Sequence, residues 1–191
     1  MCGNRHYSSR MGTVGLPAPH QELKIVNGAG EECPVDVEGE ITVGGPQMAI
    51  GYLLDDGSIV PVRGKRLKTG DLGIKDAEGF IRVTGRTKDL IIRGGVNIAP
   101  MEIDEILLKH PGVLDGAAVG VPDKIYGEEL VCYVVGKDEN LTAESVEQHC
   151  GTFLPPAKMP KQVIIVTELP KSERGKVLRD KLREEFVERL A

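Results

Sequence analysis

Along the first part of the chain the apolar positions come in short stretches, at 23–26, 40–43 and 79–83. Turn-forming groups such as Gly28-Ala29-Gly30, Asp55-Asp56-Gly57 and Asp76-Ala77-Glu78-Gly79 stand between them. Short apolar runs punctuated by Gly and Asp predict small strands joined by turns, so residues 1–85 read as a β-rich, barrel-like subdomain. The period then changes. After Pro100, Ile103, Ile106 and Leu107 fall on one helical face, and Pro111-Gly112 stands just past it, which are fitting start and stop signals for a helix. Residues 113–121 and 129–135 predict two strands around the turn 122–127. A second helix, capped by Thr142, ends before Pro155-Pro156, where proline blocks continuation. The unbroken β-branched run 163–166 predicts a buried strand, and 176–190 a charged amphipathic helix. The expected fold class is α+β: a β-rich subdomain over 1–85, a joint at 86–89 and a compact α+β domain over 90–191.

Composition narrows the function classes. The chain has 191 residues, a formal net charge of −5, 40% hydrophobic and 28% charged residues, which is the profile of an ordinary globular protein rather than a disordered one. An acidic balance argues against a dedicated nucleic-acid binder. Four Tyr, three Phe and no Trp are too few for a base-stacking platform. No apolar run approaches the ~18 residues that a membrane span needs, and Met1-Cys2-Gly3-Asn4-Arg5-His6 lacks the apolar core of a signal peptide; the expected location is the cytoplasm. Cys2, Cys33, Cys132 and Cys150 form no CxxC clamp, and His6, His20, His110 and His149 are scattered. The thiols are expected to be reduced and no metal site is expected.

Four segments hold more glycine and fixed charge than strands and turns require: Thr69-Gly70-Asp71-Leu72, Gly85-Arg86-Thr87-Lys88-Asp89, Ile92-Arg93-Gly94-Gly95-Val96-Asn97-Ile98, and Pro170-Lys171-Ser172-Glu173-Arg174-Gly175-Lys176. Taken singly, each also fits a plainer role: a Thr-Gly-Asp turn, a solvated Gly-Arg, a Gly-Gly hairpin turn, a surface lysine.

In order and at these spacings, together with Val14-Gly15-Leu16-Pro17-Ala18-Pro19, Gly39-Glu40-Ile41-Thr42-Val43-Gly44-Gly45-Pro46 and Gly51-Tyr52, the segments resemble the C-terminal third of the adenylate-forming superfamily. Acyl-CoA synthetases are its nearest branch here, because Arg93-Gly94-Gly95-Val96-Asn97-Ile98-Ala99-Pro100 looks more like their loop than that of peptide-synthetase adenylation domains. The resemblance implies a two-step ligation with ATP and CoA as substrates: a carboxylate attacks the α-phosphate to give an acyl-adenylate, and a thiol then displaces AMP. It implies that Asp71 accepts the ribose hydroxyls and Arg86 donates to ribose or phosphate oxygens. Lys88 becomes the hinge of a domain rotation, Gly94 and Gly95 the loop beside the CoA tunnel, and Lys176 the adenylation lysine. It also implies a missing N-terminal domain holding the phosphate loop, the acyl pocket and the Mg2+ groups. The isolated chain is then expected to be inactive and prone to self-association, its other partners being a small carboxylate and CoA. A noncatalytic nucleotide- or CoA-binding module, a partner subunit, or part of a peptide-synthetase adenylation domain are the alternatives.

Overall fold

A computed structural model describes residues 2–3, 10–62 and 64–190. The chain divides into two compact units, Met1–Lys88 and Asp89–Ala191. No helix among the described residues is long and apolar enough to cross a membrane.

The first unit contains strands β1 (Cys2–Gly3), β2 (Leu16–Pro17), β3 (Glu22–Val26), β4 (Gly39–Gly44), β5 (Gly51–Leu53), β6 (Ile59–Pro61), β7 (Leu67–Lys75) and β8 (Ile81–Arg86). Four of them form an antiparallel sheet in the order β3-β4-β7-β8, whose core is Ile25, Cys33, Ile41 and Ile81. The barrel-like expectation is corrected here. Among the described residues β3 and β8 pair with no further strand of this sheet and β5 pairs only with β6, so the sheet stays open; four strands are too few to wrap a filled barrel. The β5–β6 hairpin exposes Tyr52, Leu53, Ile59 and Val60.

The second unit contains β9 (Ile91–Arg93), β10 (Val96–Ile98), α1 (Pro100–Lys109), β11 (Val113–Asp123), β12 (Gly127–Gly136), α2 (Ala143–Phe153), β13 (Gln162–Val166) and α3 (Arg179–Leu190). β11 runs antiparallel to β12 along nearly its whole length, while β13 lies parallel on the other side of β12 over residues 131–135. Residues 130–134 of β12 are all fully buried, as a strand covered on both faces must be. Alternation divides them. Leu130, Cys132 and Val134 join Ile103, Leu107, Val146 and Cys150 beneath α1 and α2. Val131 and Tyr133 join Val119, Val121, Leu182 and Phe186 beneath α3. Gly116 lets α1 come this close, because a Cβ there would stand 3.0 Å from Leu107 Cβ.

The two expected helices at 100–109 and after Thr142 are present, and the Thr142 hydroxyl accepts the Ser145 N–H at 3.2 Å. Two expectations change. The run 163–166 is less buried than its apolar character predicts: only Val163 is buried and Ile165 is 45% exposed, because this strand lies at the margin of the sheet. The helix expected from residue 176 begins at Arg179. Residues 170–178 instead close a hairpin, with Leu178 N–H donating to the Pro170 carbonyl at 2.8 Å and Ser172 N–H to the Lys176 carbonyl at 2.8 Å.

Candidate functional site

The β7–β8 ladder brings together two of the residues singled out by sequence. Asp71 and Arg86 are direct cross-strand partners, and Arg86 Nε lies 2.9 Å from Asp71 Oδ1. Thr69 shapes the approach: its hydroxyl donates to the Ile41 carbonyl at 2.8 Å and accepts the Asp71 N–H at 3.1 Å. A cavity of about 310 Å³ opens beside the pair, lined by Thr69, Gly70, Arg86, Thr87 and Lys88. Thr69 and Thr87 line this cavity as well, and in the sequence their one mark is a hydroxyl flanking Gly70-Asp71 or standing between Arg86 and Lys88. Arg86 spends one edge of its guanidinium on Asp71, and both side chains stay partly exposed, at 47% and 32%. A partly wet Asp–Arg pair of this kind holds its geometry without committing all its donors and acceptors. Lys88 lies in a single 3₁₀ turn, Thr87–Asp89, at the boundary between the two units.

In the second unit Gly94 and Gly95 form the two-residue turn between β9 and β10, with φ of +55° and +87°. Two consecutive positive φ values are the demand of a tight hairpin and the reason for a Gly-Gly pair. The hairpin is strongly tied. Gly94 N–H donates to the Tyr126 carbonyl at 2.9 Å, and Ile92 N–H to Glu128 Oε2 at 2.9 Å. Arg93 stands at the centre: its Nε lies 2.9 Å from Glu129 Oε2, and Nη1 donates to the carbonyls of Met159 at 3.0 Å and Ala157 at 3.3 Å. The Glu129 carboxylate oxygen is buried and meets Arg93 at ion-pair distance with poor hydrogen-bond alignment. A second cavity of about 380 Å³ is lined by Arg93, Gly94, Val96, Tyr126, Pro156 and Ala157. Its Tyr126 wall is set by Asp123, whose carboxylate accepts the N–H groups of Ile125 and Tyr126 and pairs with Lys161. The Tyr126 N–H above all, then Lys161, hold the Asp123 carboxyl down at about 2.

Lys176 lies on a different hairpin of that unit. Ser172 and Lys176 face each other across the turn, Lys176 N–H also reaches Ser172 Oγ at 3.2 Å, and Gly175 takes φ of +75° just before the lysine. Lys176 is exposed, and among the described residues its ammonium makes no hydrogen bond or ion pair. It is a cation held out on a short, closed loop. Asp71, Arg86 and Lys88 therefore cluster in the first unit, while Gly94, Gly95 and Lys176 occupy two hairpins of the second. Among the described residues no cluster of three or more His, Cys, Asp or Glu side chains is placed to hold a metal ion. Cys33, Cys132 and Cys150 are buried free thiols, and burial pushes the last two up.

Both units match one class of protein. The chain belongs to the AMP-binding enzymes: residues 2–53 match the AMP-binding enzyme family and residues 102–176 the AMP-binding enzyme C-terminal domain. Among curated relatives, it is 43% identical to the long-chain-fatty-acid–CoA ligase of Escherichia coli O6:H1 over 91% of this chain and 31% of that protein. It is 42% identical to the sulfoacetate–CoA ligase of Cupriavidus necator over 91% of this chain and 34% of that one. Among solved structures, ATP-bound MatB from Rhodopseudomonas palustris superposes with a TM-score of 0.80 at 34% identity, over 92% of this chain and 36% of that one. The Bacillus subtilis o-succinylbenzoate CoA synthetase in complex with its acyl-adenylate intermediate gives 0.80 at 33% identity, over 93% and 36%. The chain thus spans about a third of the length of the relatives it matches.

Proposed function

We propose that this chain supplies the C-terminal part of an AMP-forming acyl-CoA synthetase, in which its two units serve two successive half-reactions. In the first, a carboxylate oxygen attacks the α-phosphorus of ATP, the bond to the β-phosphate breaks, and pyrophosphate leaves with the electron pair. In the second, the thiolate of CoA attacks the acyl carbon and AMP leaves. The observation that supports this most is the Asp71–Arg86 pair bordering an open cavity. A carboxylate can take both hydroxyls of a ribose, and an adjoining guanidinium can meet the sugar or α-phosphate oxygens, orienting the nucleotide before chemistry. Lys176, exposed on its closed hairpin, brings a compact positive charge to a transition state in which two negatively charged groups approach. Gly94 and Gly95 offer bare backbone to a pantetheine arm, and Lys88 is the hinge about which the second unit turns between steps.

The residues that would grip the β- and γ-phosphates and shape the acyl pocket are supplied by the remainder of such an enzyme, so the isolated 191-residue chain is inactive. The apolar β5–β6 hairpin is one surface through which it self-associates or takes up that remainder. The test is a fusion of this chain to the preceding two thirds of the Escherichia coli relative, assayed with a panel of carboxylic acids. ATP-dependent pyrophosphate release followed by thioester formation is the expected outcome, with Asp71→Ala raising the KM for ATP. A folded fusion that binds nucleotide or CoA but never releases pyrophosphate would favour a noncatalytic binding module instead.

A further inference from the structure

The hairpin that presents Lys176 is held at both stems, and one of the holds reaches back to the first helix of the same unit. On the entering stem Lys171 Nζ lies 2.5 Å from Asp115 Oδ2 in β11. On the leaving stem Arg179 uses both arms. Its Nη2 lies 2.5 Å from Asp104 Oδ2 in α1, and Nη1 donates to the Ala118 carbonyl of β11 at 3.1 Å. The other oxygen of Asp104 accepts the Ala118 N–H at 2.7 Å. One carboxylate therefore joins helix α1, strand β11 and the base of the lysine hairpin, across 75 residues of sequence between Asp104 and Arg179.

This joint differs from the surface pairs elsewhere in the unit. The Asp104 and Arg179 side chains are only 17% and 25% exposed, so water screens their attraction weakly, and the guanidinium is fixed at two points, one arm on the Asp104 carboxylate and the other on the Ala118 carbonyl. Desolvation raises the Asp104 pKa, and Arg179 is the first of the contacts opposing it. The hairpin above has no such burial: Glu173, Arg174, Gly175 and Lys176 are all exposed. Its direction is therefore decided at its base.

We infer that Asp104, acting through Arg179, is a positioning residue for Lys176, fixing the direction in which the 170–178 hairpin projects its amine. A long flexible side chain reaches a reacting group reproducibly only if its backbone is aimed, and a misplacement of about 1 Å can cost on the order of 100-fold in rate. The consequence for catalysis rests on the adenylation role proposed for Lys176; the aiming of the hairpin does not.

Two measurements separate these. The first is amide hydrogen exchange on the 191-residue chain. In Asp104→Asn the N–H groups of Ser172, Gly175 and Leu178 should exchange at least ~10-fold faster while the β12–β13 ladder keeps its rates. Lys171→Ala, at the exposed stem, should have a smaller effect on the same amides. Unchanged hairpin amides, or equal acceleration throughout the unit, would overturn the inference. The second uses the fusion enzyme. Asp104→Asn should lower kcat for adenylate formation about 10-fold with KM for ATP unchanged, Asp104→Glu should restore part of it, and thioester formation from supplied acyl-adenylate should hold. If Lys176→Ala abolishes adenylate formation and Asp104→Asn leaves it intact, the positioning role is wrong; if Lys176→Ala is itself harmless, the reading of Lys176 is wrong while the exchange result stands. Should Asp104→Asn fail to fold, Arg179→Gln carries the same expectations, and failure of both to fold would make the pair a general prop of the unit and overturn the inference.

Discussion

Replacing Lys176 by alanine should divide stability from chemistry. The side chain is exposed and its ammonium has no partner among the described residues, while the contacts that close the hairpin, Ser172 N–H to the Lys176 carbonyl at 2.8 Å and Lys176 N–H to Ser172 Oγ at 3.2 Å, belong to backbone that alanine retains. Stability should therefore change by no more than about 0.5 kcal/mol, the range of an exposed substitution. The rate is a different matter. Loss of one preorganised electrostatic donor at a developing charge slows a reaction by ~100-fold or more, about 2.7 kcal/mol. In the fusion enzyme, pyrophosphate release under single-turnover conditions reports adenylate formation, and mixing purified acyl-adenylate with CoA reports the thioester step alone. The first should fall at least ~100-fold and the second much less. Lys176→Arg should rescue little, because a planar fork does not replace a compact ammonium. Equal losses in both steps, or no loss in the first, would refute both the role of Lys176 and the rotation between half-reactions. A large fall in Tm would show that the lysine packs where the structure leaves it in solvent.

Three further outcomes follow from other parts of the chain. Tyr133→Phe removes the buried hydroxyl that donates to the Leu182 carbonyl at 3.1 Å and should cost about 1–2 kcal/mol in urea unfolding, with α3 amides losing protection before those of α1. Calorimetry of ATP into the isolated chain should show little binding, since the proposed reading gives the nucleotide no more than Asp71, Arg86 and Lys176 among the described residues; a submicromolar Kd would reveal an unrecognised site. Acid should act through depressed carboxylates: Asp123, held at about 2 chiefly by the Tyr126 N–H, and Glu32, held at about 2 chiefly by Lys75. Each binds fewer protons folded than unfolded, so its contribution is complete above the ordinary carboxylate range and is lost as pH falls through about 2. Asp104, raised by burial, works in the opposite sense. Thermal melts from pH 6 to pH 2 should flatten in Asp123→Asn and Glu32→Gln, and an unaltered slope would contradict the assignment.

What the sequence discloses is local. Pro100 with Ile103, Ile106 and Leu107 suffices for α1, and those three side chains are buried where the period places them. Thr142 suffices for the start of α2. The charged run from Lys176 carries the same helical signal, yet Gly175 in a left-handed conformation and the Pro170–Leu178 closure delay the helix to Arg179; a turn closed by backbone bonds leaves no mark in hydrophobic period. Whether short strands close into a barrel depends on which edges meet, and that is a property of pairing rather than of any one strand. For the site, Asp71 and Arg86 stand out as residue types beside glycine, while their opposition across β7 and β8 depends on register. Asp104 looks like one more acidic position of an exposed helix, and only the folded unit brings Arg179 to it.

The partners of β12 also set the order in which the second unit can fold. Its antiparallel partner β11 is reached through a short turn at 123–127, so ten paired positions form at small loop-closure cost. Its parallel partner β13 arrives only after α2 has been crossed, with Val131 opposite Gln162. The β11–β12 hairpin is therefore the expected nucleus, and β13 docks late. Val119→Ala, in the early ladder, should slow refolding, whereas Val163→Ala should leave refolding nearly untouched and speed unfolding. The reverse pattern in stopped-flow chevrons would place the nucleus on the parallel side of the sheet.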